Sequence, residues 1–443
     1  MNSILNSISQ LPLDRTAFIS ETNTISYFDI KQLHAKNLET IINLKGSCIV
    51  INGRQRAEFT LLLSILDGHT RRIVFLPEDI DESLVKRYYE ETDANYEVYL
   101  DNDILKVETI KAYQTEQSNS TGTTQWIIPT SGTTNIPKLV IHTFESLTRT
   151  AQSNVEKGKH YRWGLVFDIY RFSGIQVFLQ SIISGSTLII SENGNRMSEI
   201  IDLLSTNRCN ALSATPSFWR KMLMSKGVDD LNLKRITLGG EIADQNILTA
   251  LKTKFSNAKI AHIYASTEVG VGFSVKDTLE GFPKDYLENG VEKIKLKVDN
   301  NILWINPGTK TQKYMSNDSM YDDAGYINTG DLVKVSENRV FFLGRESGAI
   351  NVGGNKVQPE EIESLLLSFE AVSAAYVYAK SNPMMGSLVY ADIVLANQDI
   401  DKKSIKKEIL TLCREMLEGF KVPAILKIVD HLETTQSGKL KRS

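Results

Sequence analysis

Apolar and polar positions along the first hundred residues follow two rhythms. "SCIVING" (47–53) and "RRIVFLP" (71–77) are short, nearly continuous apolar runs, as buried strands are. Between them, "RAEFTLLLSILDG" (56–68) carries apolar residues at helical spacing and stops at Gly68. Strand, helix, strand predicts a mainly parallel, helix-covered sheet. From 160 to 270 the alternation continues, with "STLIIS" and "KRITLGG" as strands and "FWRKMLMS" as a helical piece. Around 290–345 the pattern shortens to strands and turns, "EKIKLKVDNNILWINPG" and "RVFFLG", which predicts a small β-rich subdomain. After Gly344 the character changes again. "QPEEIESLLLSF" reads as a helix with Pro359 near its first position and acids in its first turn. "VSAAYVYAK" and "LVYADIVLA" read as strands, and "SIKKEILTLCREMLEGF" as an amphipathic helix. The class is α/β. The expected division is a large body over 1–345, built of parallel α/β sheets and the β-rich subdomain, and a compact C-terminal α+β unit over 346–443.

One stretch breaks the rhythm. In "IIPTSGTTNIPKLVIHT" (127–143) an apolar run ends at Pro129 and another begins at Leu139. Between them stand Thr130, Ser131, Gly132, Thr133 and Thr134, then Pro137 and Lys138. A loop with four hydroxyls, a flexible Gly and free backbone N–H groups can converge its donors on phosphate oxygens. Lys138 adds a positive charge, and Pro137 restricts its approach. The same residues also suit a polar turn between two strands. The loop is not of Walker A type, which needs Gly-Lys-Ser/Thr. A polar stretch, "TEQSNSTGTTQ" (115–125), reads as a flexible link leading into it.

Bulk composition narrows the classes. The chain has 443 residues, 42% hydrophobic and 23% charged, enough for two or three globular domains. A net charge of −3 argues against a general nucleic-acid binder. Cys48, Cys209 and Cys413 are far apart and lack metal-ligand spacing, which suits a reducing compartment. The opening "MNSILNSISQLPLDR" has no signal-peptide pattern, and no apolar run reaches the ~18 residues a membrane span needs. The expected setting is the cytoplasm.

Four further stretches carry candidate chemistry: "LGGE" (238–241), "HIYASTEVG" (262–270), "INTGDLVKV" (327–335) and "FLGRESGAINVGGNKVQPEEIE" (342–363). The chain ends "TTQSGKLKRS". Singly, each is also an ordinary turn or a solvated tail. In this order and spacing, together with the hydroxyl loop, they resemble the adenylate-forming enzymes. That family includes acyl-CoA synthetases, adenylation domains of nonribosomal peptide synthesis and luciferases. The resemblance runs from about residue 15 to the end. The stretch before the loop is shorter than the family's usual N-terminal subdomain.

The resemblance implies an ATP- and Mg²⁺-dependent ligase acting on a small carboxylic acid through an acyl-adenylate. The acceptor would be the phosphopantetheine thiol of CoA, or that of an acyl carrier protein. Thr130 to Thr134 and Lys138 would hold the β- and γ-phosphates. Thr267 would meet the α-phosphate, and Glu268 would hold Mg²⁺. Tyr264 would stack on adenine, with Gly239, Gly240 and Glu241 lining its other side and the acyl pocket. His262 stands where the family often reads the adenine amine. Asp331 would take the ribose hydroxyls, with Arg345 nearby. Lys439 would be the catalytic lysine of a mobile C-terminal lid, and Gly353 and Gly354 would let the thiol arm pass. Asn135, Leu139, Ala265 and Ser347 depart from the family pattern, yet none removes an essential charge. Phe167, Tyr170, Phe172 and Phe218 suggest an apolar acyl wall or ordinary core, and Arg171 stands near the pocket-gating position. A fatty or aromatic acid is favoured over an amino acid. A non-catalytic ATP-binding module is the contrasting reading.

Overall fold

The computed structural model describes residues 3–53, 55–77, 80–111, 123–130, 137–309, 312–316, 318–382, 385–397 and 401–433. Lys439, residues 131–136 of the hydroxyl loop and most of the 115–125 link lie outside them. Four sheets are formed among the described residues. The expected βαβ unit is present. Cys48–Ile51 pairs in parallel with Arg72–Val74 and with Tyr96–Asp101, and Arg56–Leu66 is the connecting helix. Phe59, Leu62, Leu63 and Leu66 of this helix are fully buried, at the three- and four-residue spacing of one helical face. The helix ends two residues before Gly68. Asp67 turns to extended backbone and spends its carboxylate on the Ile4 N–H and the Trp126 indole, both at 2.9 Å.

This seven-stranded sheet also holds the two strands that flank the hydroxyl loop. Gln125–Pro129 and Leu139–Thr143 are antiparallel, with Pro129 opposite Leu139. Leu139 is buried in the sheet, so its departure from the family pattern is taken up by packing. An eight-stranded sheet places Arg162–Leu165, Ala211–Ala214, Arg235–Gly239 and Lys259–Ser266 side by side and parallel. Their carboxyl ends therefore open on one side, where ligands of α/β sheets bind. Phe172–Ser184 joins the core shared by these sheets, and Gly185 closes it in the left-handed region. The β-rich part is a five-stranded antiparallel sheet that includes Lys295–Asp299, Ile302–Asn306, Ile327–Val335 and Arg339–Arg345.

The last sheet is built of residues after 349. Val372–Asn382 and Gly386–Leu395 form its long antiparallel pair, and Pro359–Leu367 and Lys402–Met416 are its helices. Pro359 occupies the first turn with Glu360 and Glu361, as the sequence predicts. Ile405, Ile409 and Cys413 form the buried stripe of the second helix.

Candidate active site

A cavity of about 1560 Å³ opens where the parallel strands end. Its wall brings together Thr130, Gly239, Gly240, Glu241, His262, Tyr264, Thr267, Glu268, Asp331 and Arg345, residues spread over more than two hundred positions. The ends of Arg235–Gly239 and Lys259–Ser266 are neighbours in the eight-stranded sheet, so the "GGE" and "YASTE" stretches emerge side by side.

The neck of the hydroxyl loop is closed by two hydrogen bonds. The Thr130 N–H donates to the Lys138 carbonyl at 2.8 Å, and the Lys138 N–H to the Thr130 hydroxyl oxygen at 3.1 Å. Thr130 and Pro137 line the cavity. The Lys138 ammonium instead lies 4.5 Å over the Tyr314 ring and 3.9 Å from an Asp318 carboxylate oxygen. Tyr314 belongs to Lys313–Tyr314, a short strand paired with Leu139–Thr143.

Asp331 and Arg345 are directly opposed on two antiparallel strands, and Arg345 Nε donates to Asp331 Oδ1 at 3.0 Å. The Tyr264 hydroxyl donates to the other carboxylate oxygen at 2.5 Å. Burial, then the Asp331 charge, pushes the Tyr264 hydroxyl well above its ordinary range, so it stays a donor. Burial works against the charged Arg345 guanidinium. Asp331 first, then Tyr264 and Glu268, outweigh it and hold the group above its usual value. The Tyr264 ring is nearly parallel to Phe273 and Phe342, each 5.3 Å away. Tyr264 thus serves Asp331 through its hydroxyl, and an adenine would have to share its ring with these two neighbours.

Glu241 does two things. It lines the cavity, and its carboxylate accepts the Ser217 N–H at 2.9 Å, in the first turn of the helix Pro216–Leu223, where an anion is favoured. The His262 Nε2 faces the Leu279 carbonyl at 3.1 Å and therefore carries the ring proton. Burial lowers its pKa, opposed by that same carbonyl. Gly353 and Gly354, with φ of 59° and 89°, make the tight turn between Ile350–Val352 and Asn355–Val357, away from the cavity wall.

The wall near Phe167 and Phe172 is mixed. Phe172, Ser173, Gln176 and Val177 share one face of a helix and line the cavity with Phe167, Ser213 and Ala265. Tyr170 and Phe218 are not part of the wall; Tyr170 is buried against Phe59, its hydroxyl on the Gly53 carbonyl. Arg171 lines the cavity just before the same helix, with Nε 3.2 Å from the fully buried Asp168 carboxylate.

Two contributors escaped the sequence reading. Tyr314 is one. The other is His142, whose Nε2 lies 2.7 Å from the Thr267 carbonyl. Its only signal in the sequence is a histidine inside the apolar run after the loop.

No helix among the described residues is long and apolar enough to cross a membrane. Comparison with known proteins bears on the whole chain. The AMP-binding enzyme family profile matches residues 30–294, more than half of the chain, and the AMP-binding enzyme C-terminal domain profile matches 361–439. A 2-succinylbenzoate–CoA ligase of Listeria innocua is 29% identical over 331 residues, 72% of this chain and 68% of that protein. One from Bacillus subtilis is 25% identical over 477 residues, 98% and 95% of the two. Among solved structures, the fold resembles an o-succinylbenzoate CoA synthetase of Bacillus subtilis. In complex with its acyl-adenylate intermediate, that protein gives a TM-score of 0.74 at 21% identity, covering 99% of this chain and 97% of the other. With ATP and magnesium ion it gives 0.72 at 20% identity, covering 99% and 98%. With both profiles matched in order along one α/β chain, this protein belongs to the AMP-binding enzyme family and is an adenylate-forming acyl-CoA ligase, joining an acid to a thiol with release of AMP.

Proposed function

We propose that this enzyme activates an aromatic acid of the 2-succinylbenzoate type with ATP and transfers the acyl group to CoA. One observation supports the site assignment most: Thr130, Thr267, Glu268, Asp331 and Arg345 converge on one cavity. The substrate assignment rests on the relatives' names, and on a cation, Arg171, set beside Phe167 and Phe172 in the cavity wall. An aromatic ring with a second carboxylate asks for that pairing. Neither the fatty-acid preference nor the carrier-protein acceptor finds support in these relatives.

In this reading Thr130 and the rest of the hydroxyl loop hold the outer phosphates, and Lys138 would have to turn its ammonium from Tyr314 and Asp318 to join them. Asp331, aligned by Arg345 and Tyr264, accepts from the ribose hydroxyls. Gly239, Gly240, Glu241 and His262 border the adenine. Among the described residues no group of three or more His, Cys, Asp or Glu could cage a metal. Mg²⁺ does not need one, since it binds through one or two carboxylates plus substrate phosphates. Glu268 fits that need as a cavity-lining carboxylate next to Thr267. When bound, Mg²⁺ neutralises charge on the phosphates. The substrate carboxylate oxygen bonds to the α-phosphorus, the bond to the β-phosphate oxygen breaks, and pyrophosphate leaves. The CoA thiol, having lost its proton, then attacks the acyl carbon and AMP departs. Lys439 would offset charge at the first step and Thr267 would contact the α-phosphate.

The test is pyrophosphate release from ATP with 2-succinylbenzoate, benzoate, succinate and fatty acids, with and without CoA. Release and thioester formation should be greatest with 2-succinylbenzoate. ADP as product would sink the reading, and a preferred fatty acid would sink its substrate half.

A further inference from the structure

We propose that His142 is a positioning residue for acid activation, fixing the Thr267–Glu268 turn against the hairpin that carries the hydroxyl loop. The inference rests on the roles just given to Thr267 and Glu268.

His142 is fully buried, four residues beyond the loop neck, in the strand Leu139–Thr143. That strand is held on both sides, by Gln125–Pro129 and by Lys313–Tyr314. His142 is thus tied to the loop neck through a stiff hydrogen-bonded ladder. Its Nε2 reaches out of this sheet to the Thr267 carbonyl at 2.7 Å. A carbonyl only accepts, so Nε2 carries the proton. The Nδ1 is then an acceptor, 3.2 Å from the Ser146 hydroxyl. That hydroxyl also donates to the Thr143 carbonyl at 2.9 Å, so it is the Nε2 bond alone that sets the tautomer.

The accepted carbonyl is significant because of which peptide it belongs to. It lies in the plane that joins Thr267 to Glu268. A peptide unit is planar, so fixing the direction of that C=O fixes the N–H and the Cα of Glu268 with it. The next link is closed too, as the Val269 N–H donates to the Ser266 hydroxyl oxygen at 3.1 Å. His142 therefore holds the backbone from which the Glu268 side chain springs in place relative to the sheet that carries the loop. Its ring also lies 5.7 Å from Phe172, in the acyl wall. One side chain touches the loop hairpin, the Thr267–Glu268 turn and the acyl pocket.

His142→Leu removes the donor at similar volume and leaves the Thr267 carbonyl unanswered. His142→Gln keeps an N–H that can reach that carbonyl. Three readouts apply: calorimetric ATP binding as a function of Mg²⁺, acid-dependent pyrophosphate exchange, and thermal melting. The leucine variant should need about tenfold more Mg²⁺ for half-maximal ATP binding, with exchange down about tenfold, the scale of one buried acceptor left unpaired. The glutamine variant should stay within about threefold of the parent. Equal behaviour of the two variants, or a melting change with unchanged Mg²⁺ dependence, would overturn the proposal. Should the leucine variant not fold, the parent protein with ¹⁵N-labelled histidine decides. Its His142 Nε2 resonance should show the protonated tautomer and shift on adding Mg²⁺ with ATP, and a resonance blind to that addition refutes the proposal. Glu268→Gln separates the two levels. If it leaves Mg²⁺ dependence unchanged, the underlying site reading fails. If it moves that dependence and His142→Leu does not, only the positioning role fails.

Discussion

Asp331→Asn isolates the ribose contact. Each carboxylate oxygen already accepts one strong bond, Oδ2 from the Tyr264 hydroxyl at 2.5 Å and Oδ1 from Arg345 Nε at 3.0 Å. A carboxylate offers about four acceptor positions, so about two remain for a pair of ribose hydroxyls. Asparagine keeps the shape and loses the charge. Turned one way, its NH₂ faces the donor-only Arg345; turned the other, it meets the Tyr264 hydroxyl, which must then accept instead of donate. A hydrogen bond to a charged group contributes about 1.5–3 kcal/mol, so losing one weakens ATP binding by about 10- to 150-fold. The assay is calorimetric titration of parent and variant with ATP and with 2′,3′-dideoxy-ATP. The parent should prefer ATP by about the same factor, and the variant should bind both nucleotides alike. Substitution and deoxygenation then remove the same interaction, which a double cycle reads directly. If the variant still discriminates between the nucleotides, Asp331 is not the ribose acceptor.

Arg171→Ala should raise KM for 2-succinylbenzoate about tenfold and leave KM for benzoate nearly unchanged, since only the former carries the second carboxylate; equal changes for both acids would show a packing role alone. Tyr314→Leu removes the ring under the Lys138 ammonium and should change ATP affinity by roughly two- to fivefold, the scale of an exposed cation–π contact, with no change in affinity for the acid; calorimetry with each ligand checks it. His142 gives a pH signature. Burial, opposed by the Thr267 carbonyl, lowers its pKa from 6.5 to about 4. A value lower in the folded state means its stabilisation is complete above pH 6.5 and is lost as pH falls towards 4. The stability advantage of the parent over His142→Gln should therefore shrink by about 2 kcal/mol between about pH 7.5 and pH 5. Parallel denaturation profiles of the two proteins would contradict it.

Local patterns in the sequence reached some features and not others. The βαβ unit was legible because Phe59, Leu62, Leu63 and Leu66 repeat at helical spacing between two apolar runs, and each of these positions is buried. The C-terminal helix start was legible because Pro359, Glu360 and Glu361 fit only a first turn. Partners were not legible. Tyr264 meets Asp331 across 67 positions and His142 meets Thr267 across 125, and no periodicity links residues so far apart. Two-residue strands such as Lys313–Tyr314 are too short to leave a pattern, so Tyr314 was invisible as the platform for Lys138. Aromatic spacing misled in part, because it cannot distinguish a cavity wall from core. Phe167 and Phe172 face the cavity, while Tyr170 packs on Phe59 behind it.

Lys439 and Lys441 are two positions apart in "SGKLKRS", outside the described residues, and both would pass for a solvated basic tail. The proposed function separates them. In the first half-reaction an anionic carboxylate approaches an anionic phosphate, and an ammonium at that point offsets the charge that builds as the bond forms. Such a preorganised group contributes about 10²–10³ in rate. In the second half-reaction the thiol attacks the acyl carbon, after a swing of the lid that the family resemblance implies, and the same swing carries Lys439 away. Lys439→Ala should therefore lose acid-dependent pyrophosphate exchange by about that factor, yet convert a supplied acyl-adenylate to the CoA thioester at close to the parent rate. Lys441→Ala should alter neither step appreciably. The paired measurement is decisive because a basic tail acting only through its net charge responds alike to either substitution. Small, equal losses from the two variants would assign the segment to the solvated surface, and equal loss of both half-reactions in Lys439→Ala would place that residue in binding instead of in the first chemical step.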